Sequence, residues 1–423
     1  MNIDLILVAI SLFTWGIGEG LFFYFQPIYL QQLGADPISI GTILGGFGLM
    51  MMVSHIPAGY LADRYGRKPI MIAAWVMAVI ATWIMALANG LSLFVVGLLI
   101  YGITLFVLSP LNSYITVARG KWSVGRALTL ISASFNFGVV IGPWIGGQIG
   151  EQVGLRQTYF IAAWIFMAST IIILFIRSQP VESKASEAVG NAWLFNPRYL
   201  VYLGVVFLAT FAMYLPQPLS PNFLENQRDL SLSQIGSLYS ISSIGVVVLN
   251  LLLGQLSARL GFLLGQVAVG LFSLFLWRGT GLPWFMLGYF LLGGFKTARS
   301  FATAQVRQLV HQSKMGLAYG LTETVSSTTM VLAPILAGYL YTRDPAWMYT
   351  SAAVLILASL LTSAVFSLKT RESMGLDHEQ RSILPKDSLP QSAWGNFDQQ
   401  AVPENLSGEI GLTSISGDKG GEP

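Results

Sequence analysis

Runs of about twenty apolar residues, separated by short polar or Gly/Pro breaks, recur along most of the chain. A bilayer core of about 30 Å needs about 20 residues of helix at 1.5 Å rise each. Twelve stretches meet that length: 5–28, 39–62, 69–89, 92–117, 126–149, 157–176, 199–222, 233–257, 263–278, 283–306, 316–340 and 347–368. The ninth is the shortest. The first has no basic stretch before it and is closely followed by others, so it is expected to stay in the mature protein and not to be cleaved as a signal peptide.

Charge placement orients these segments. Seventeen of the 23 Lys and Arg fall in loops and a tail that are cytoplasmic if the N-terminus is inside. The opposite loops hold only Arg156, Arg228, Arg278 and Arg343, while Lys296 and Arg299 lie within the tenth segment. Positive charge is retained on the cytoplasmic side, so both termini are expected there. The longest polar break follows the sixth segment. The expected organisation is a six-helix bundle over 1–178, a central cytoplasmic loop over 179–198, a second bundle over 199–370 and a disordered cytoplasmic tail over 371–423. That tail is polar and rich in Ser, Gly, Pro and acids, with too little apolar surface to offset its ordering entropy.

Composition agrees with lipid as the main solvent. Of the 423 residues 54% are hydrophobic and 10% charged, against about 25% charged in an ordinary soluble domain. The fold class is therefore all-α and polytopic. With no cysteine and three scattered histidines (His55, His311, His378), a disulfide framework and a metal cluster drop out. A net charge of +3 over this length gives no basic stripe for nucleic acid. No G-x-S-x-G, H-E-x-x-H or P-loop is present, so an enzyme is not expected.

The two halves repeat. Ser39-Ile40-Gly41 and the run from Gly59 to Gly66 recur 195 residues later as Gln234-Ile235-Gly236 and Gly254 to Gly261, the latter keeping Arg259. Gly125, Pro143 and Gly147 correspond to Gly316, Pro334 and Gly338 at an offset of 191. Such repetition implies two similar bundles related by an axis along the membrane normal, an arrangement suited to alternating access.

The segment Gly59-Tyr60-Leu61-Ala62-Asp63-Arg64-Tyr65-Gly66-Arg67-Lys68 resembles the signature between helices 2 and 3 of the major facilitator superfamily. Gly138, Gly142, Pro143, Gly146 and Gly147 resemble that superfamily's antiporter motif in helix 5. The resemblance implies a twelve-helix transporter with a cavity lined mainly by segments 1, 4, 7 and 10. It implies a cytoplasmic gate at the first motif, where Asp63 would accept hydrogen bonds at a helix N-terminus and Arg64, Arg67 and Lys68 would stay in the headgroup region. Gly254, Arg259 and Gly261 are the second half's remnant of that gate. One departure stands out: superfamily antiporters often carry an arginine in helix 4, and Tyr101 to Pro110 contains no charge.

Four ionisable residues lie inside segments: Glu19 in the first, Lys296 and Arg299 in the tenth, Glu323 in the eleventh. Each costs roughly 2.5–3.5 kcal/mol near mid-bilayer on insertion scales, so each should face a partner or a wet cavity. Lys296 and Arg299, three apart, share a helix face. Arg299 and Glu323 both sit about seven residues, or roughly 10 Å, from the cytoplasmic ends of their helices, where an ion pair is feasible. Glu19 has no basic neighbour in its own segment and is the leading proton-coupling candidate, with Glu323 second.

The expected function is alternating-access transport of a small, partly apolar solute, driven by the proton gradient with no other cofactor, with efflux slightly favoured. An organic-anion or sugar-like substrate using Lys296 and Arg299 is the rival reading, and a transport-incompetent membrane receptor is the rival of another class. The expected partners are the solute and the lipid bilayer of a bacterial inner (plasma) membrane, with a monomer as the working unit.

Overall fold

The computed structural model describes residues 2–179, 197–310 and 315–383. Each first-half segment is helical: α1 (Ile3–Phe22) and α2 (Gln26–Gln32), α3 (Pro37–Tyr65), α4 (Arg67–Leu87), α5 (Leu91–Ile103) and α6 (Leu108–Ala118), α7 (Val124–Val153) and α8 (Leu155–Leu174). The second half supplies α9 (Pro197–Tyr214) and α10 (Ser220–Arg228), α11 (Leu232–Leu253), α12 (Ala258–Arg278), α13 (Leu282–Leu292) and α14 (Gly294–Gln305), α15 (Met315–Arg343) and α16 (Trp347–Ile383). Helix starts follow ordinary capping: Asp36 accepts the Ser39 N–H at 2.7 Å to open α3, and Ser231 with Gln234 forms a capping box on α11. The Asp36 carboxyl is held below the usual aspartate value by that N–H.

Four segments are interrupted, and they are the first, fourth, seventh and tenth. The first breaks at a 3₁₀ turn, Phe23–Phe25, and the fourth at another, Thr104–Val107. Proline explains both, because Pro27 and Pro110 cannot donate to the carbonyls four residues earlier, at Phe23 and Phe106. The seventh stops before the Pro216 and Pro218 turn, and the tenth breaks at Gly293-Gly294. The remaining described segments run unbroken, α7 and α15 even through Pro143 and Pro334. Interrupted helices at membrane depth are tolerated where they line a cavity or are buried in protein.

Ten helical segments among the described residues are long and apolar enough to cross a membrane. The two others are the tenth and eleventh. The tenth is split, and its α14 half carries Lys296, Thr297, Arg299, Ser300 and Thr303; α15 carries Thr322 to Thr324 and Ser326 to Thr329. The halves of the tenth, 11 and 12 residues long, are each too short to span, and α15 is diluted by the polar groups it carries. The ninth is longer than expected, because α12 starts at Ala258 behind the Ser257 N-cap.

Packing repeats as the sequence does. In the first half α7 lies on α1, α5 and α6 on α4; in the second α15 lies on α9, α13 and α14 on α12. The halves meet along two seams, α3 with α15 and α7 with α11. Residues Met1–Ser367 form one compact unit and Leu368–Pro423 a second. The polar segment expected to be disordered from 371 begins as helix to Ile383, a stretch rich in straight-chain helix formers; residues 384–423 lie outside the described ones. Most of the central loop, 180–196, and His311 also lie outside them.

Candidate functional site

Glu19 sits on α1 one helical turn after Trp15, and this spacing lets the Trp15 indole N–H donate to Oε2 at 3.1 Å. Tyr101, from α5, donates its hydroxyl to the same oxygen at 2.9 Å. The uncharged fourth segment thus supplies a phenol where family antiporters often hold arginine. Both donors are fixed by packing. Trp15 stacks on Phe166 at 4.6 Å and meets Trp75 edge-on at 4.7 Å, while Tyr101 is 1% exposed against Phe22 and Phe166. Trp75 in turn donates to Ser11 and Ser169, which bond each other at 2.9 Å.

The helix 5 glycines hold α1 in place. A Cβ at Gly138 would strike the Phe13 carbonyl, one at Gly142 would come 2.6 Å from the Ile17 carbonyl oxygen, and one at Gly146 would strike Leu21. Three glycines therefore press α7 backbone to backbone against the turns that flank Glu19. Gly147 faces α11 instead, and Pro143 lies between, its ring against Gly20 of α1 and its carbonyl against Gly236 of α11.

Across the interface, Arg299 on α14 forms an ion pair with Glu323 on α15. The Glu323 side chain is 56% exposed and that of Arg299 18%, so this pair borders water. Lys296 lies one turn away, within electrostatic reach of both Glu19 and Arg299. Its surroundings identify a cavity. Lys296 and Ser300 are exposed on one face of α14 with Arg299 and Thr303 half-buried beside them, whereas Phe295, Ala298 and Ala302 of the other face are buried. Elsewhere the exposed faces are apolar, as with Val76 and Ile80 on α4 or Val267, Leu271 and Leu274 on α12. Apolar exposed faces suit lipid; the polar exposed face of α14, turned toward Glu19, suits an internal aqueous space.

At the end remote from the chain termini, the outer one if those termini are cytoplasmic, the halves are shut. The seam positions are the repeat positions: a Cβ on Gly41 would strike the Pro334 carbonyl, and one on Gly236 the Pro143 carbonyl. Gln31 accepts from Asn222 at 2.6 Å and Asn226 at 3.0 Å, and Glu151 accepts the Ser233 N–H at 3.0 Å. Tyr24 and Tyr239 stack across the halves at 4.3 Å. Towards the end that carries the chain termini, the inner one if those termini are cytoplasmic, Thr328 donates to the Met52 sulfur at 3.8 Å, and Glu323, Thr324 and Asn250 are exposed.

The expected gate motif occupies the α3–α4 corner. Gly66, at φ 89°, caps α3 and opens α4, a conformation that favours glycine. Arg67 donates to Gln179 at 3.0 Å, Arg64 is exposed and Lys68 half-buried. The side chains at Gly59 and Asp63 fall outside the described ones. In the second half Gly254 caps α11 and Arg259 opens α12, but Gly261 lies inside α12 against Phe301 and makes no equivalent corner. Sequence reasoning missed Trp15 and Tyr101 as partners of Glu19; the i, i+4 spacing of Trp15 was the one available signal.

A sequence profile described as Major Facilitator Superfamily matches residues 8–261 and again 202–401. Multidrug resistance protein 2 of Bacillus subtilis is 21% identical, over 88% of this chain and 97% of its own length. Multi-drug resistance efflux pump PmrA of Streptococcus pneumoniae is 29% identical over 52% of this chain and 56% of its own. The crystal structure of the nucleoside transporter NupG superposes with a TM-score of 0.72, at 16% identity over 87% of this chain and 99% of that one. The doubled profile match, the paired bundles and the broken segments bordering a central polar space are those of one family, and the chain belongs to the Major Facilitator Superfamily.

Proposed function

We propose that the protein is a proton-coupled exporter, in which a small, partly apolar organic solute binds between the two bundles and protonation of Glu19 is linked to their rocking. The observation that carries this reading is Glu19 itself: a carboxylate at membrane depth, held by Trp15 and Tyr101, with no ion pair within 4.0 Å among the described residues. A group so placed exchanges its proton with whichever side the cavity faces. The seams shut at one end, with exposed polar groups of α14 and α15 towards the other, support a state in which a solute enters from the inside, given the charge-based expectation of cytoplasmic termini in a bacterial inner membrane. The names of the relatives, a multidrug resistance protein and an efflux pump, support export.

Glu323 is secondary in this scheme, because Arg299 holds it and the pair ties α14 to α15. The rival reading, an organic anion held by both Lys296 and Arg299, loses support for the same reason, since Glu323 already engages Arg299 and leaves Lys296 to hold an anion by itself. In this reading the proton gradient is the energy source and a single chain the working unit. The test is flux of ethidium in proteoliposomes under an imposed pH gradient. Glu19→Gln should bind ethidium yet lose the gradient dependence; unchanged coupling would remove Glu19 from the mechanism.

A further inference from the structure

The central cavity holds two opposite charges that do not touch. Glu19 projects from the first half and Lys296 from the second, near enough to interact electrostatically. Neither belongs to an ion pair within 4.0 Å among the described residues, where the cavity's other charges, Arg299 and Glu323, neutralise one another. Trp15 and Tyr101 both donate to Oε2 of Glu19, so neither occupies Oε1. Lys296 makes no hydrogen bond through its ammonium among the described residues, and its side chain is exposed. Half-buried tyrosines stand on both halves nearby: Tyr24 of the first, stacked on Tyr239 at 4.3 Å, and Tyr214 of the second, stacked on Phe295 at 5.6 Å.

We infer that the preferred substrate is an aromatic zwitterion, with a basic amine that meets Glu19 and an acidic group that meets Lys296. This deepens the transport reading above and rests on it. The reason is electrostatic. A cation drawn to Glu19 is repelled by Lys296, and an anion drawn to Lys296 is repelled by Glu19, across a space bounded by low-dielectric protein. A ligand with both charges satisfies both residues at once and leaves the net charge of the cavity unchanged. Because the two residues belong to different halves, the same ligand pulls the halves together, and binding energy is then coupled to closure of the inner end.

Three matched probes test this on the purified full chain in detergent: para-(aminomethyl)benzoate, its methyl ester, which is only a cation, and its N-acetyl derivative, which is only an anion. Thermal-shift titration should give the zwitterion an apparent affinity about tenfold tighter than either relative, equivalent to about 1.4 kcal/mol. Lys296→Met should bring the ester level with the zwitterion, and Glu19→Gln should bring the N-acetyl compound level. Lys296→Arg and Glu19→Asp, which keep the charges, should retain the preference and guard against variants that simply misfold. Equal binding of the three probes by the wild type, or a ranking untouched by Lys296→Met, overturns the inference. These readouts are equilibrium affinities. In the wild type, pH-driven flux together with the zwitterion ranked first supports both readings, whereas pH-independent flux with that ranking intact sinks the proton reading and leaves the substrate class standing.

Discussion

Gly236→Ala, combined with its repeat partner Gly41→Ala, should open the outer end. An added Cβ on Gly236 would lie under 3.0 Å from the Pro143 carbonyl oxygen and 3.1 Å from Gly147 Cα, and Gly41 repeats this geometry against Pro334 and Gly338. The obstructing atoms are backbone on long helices, so no side chain can swing aside; each seam must part by about 1 Å to restore van der Waals separation. Overpacking of this kind costs roughly 1–3 kcal/mol per site. The penalty falls on the state in which the seams are shut, so one substitution shifts the equilibrium toward the outward-open state by about five- to 150-fold. The two seams share no partners, and their effects should add. The chain has no cysteine, so spin labels at Gln32→Cys and Gln227→Cys, both exposed at the outer end, need no background removal. Pulsed dipolar spectroscopy should show a longer inter-label distance gaining population in the double variant. Unchanged distances in folded protein, or widening only between labels at the inner end, would refute the reasoning.

Tyr101→Phe removes one of two donors to Glu19 and should lower pH-driven flux severalfold while leaving thermal stability within about 1 kcal/mol, since a hydrogen bond is worth about that net; flux equal to wild type would dismiss the phenol. Glu323→Gln should change stability by no more than about 1 kcal/mol, as expected of a water-bordering pair, and keep proton dependence, and loss of coupling in a flux assay would promote Glu323 above its packing role. The Asp36 cap has a signed pH dependence: its folded-state value is lowered, so its stabilisation is complete above the ordinary aspartate value and is lost as pH falls through the lowered one. The difference in melting temperature between wild type and Asp36→Ala should therefore shrink below about pH 4, and a difference constant down to acid would contradict it. Removal of 371–423 should leave flux intact in a transporter; abolished flux would favour the receptor reading.

The architecture was legible because its signals are long. Twelve apolar runs and a repeat at offsets of 195 and 191 survive any averaging window, and the repeat's meaning becomes visible where Gly41 and Gly236 form equivalent seams. The breaks in segments 1, 4, 7 and 10 were not read, although Pro27, Pro110, Pro216 and Gly293 were in view, because hydropathy sums across a kink as if the helix were straight. Arg299 and Glu323 could be paired by counting rise from the inner end, since both are charged and both had to find partners. Tyr101 could not. In sequence it is one more aromatic in an apolar run, and its role depends on a carboxylate 82 residues away. The basic residues of segment 10 could be related from sequence to Glu19 or to Glu323, but helix spacing does not choose between the two.

Proton release on ligand binding tests the role of Glu19 most directly. Saturating ethidium added to weakly buffered, purified protein should liberate protons in the wild type and none in Glu19→Gln. Equal release from both, or no release from a wild type that binds the dye, would contradict it.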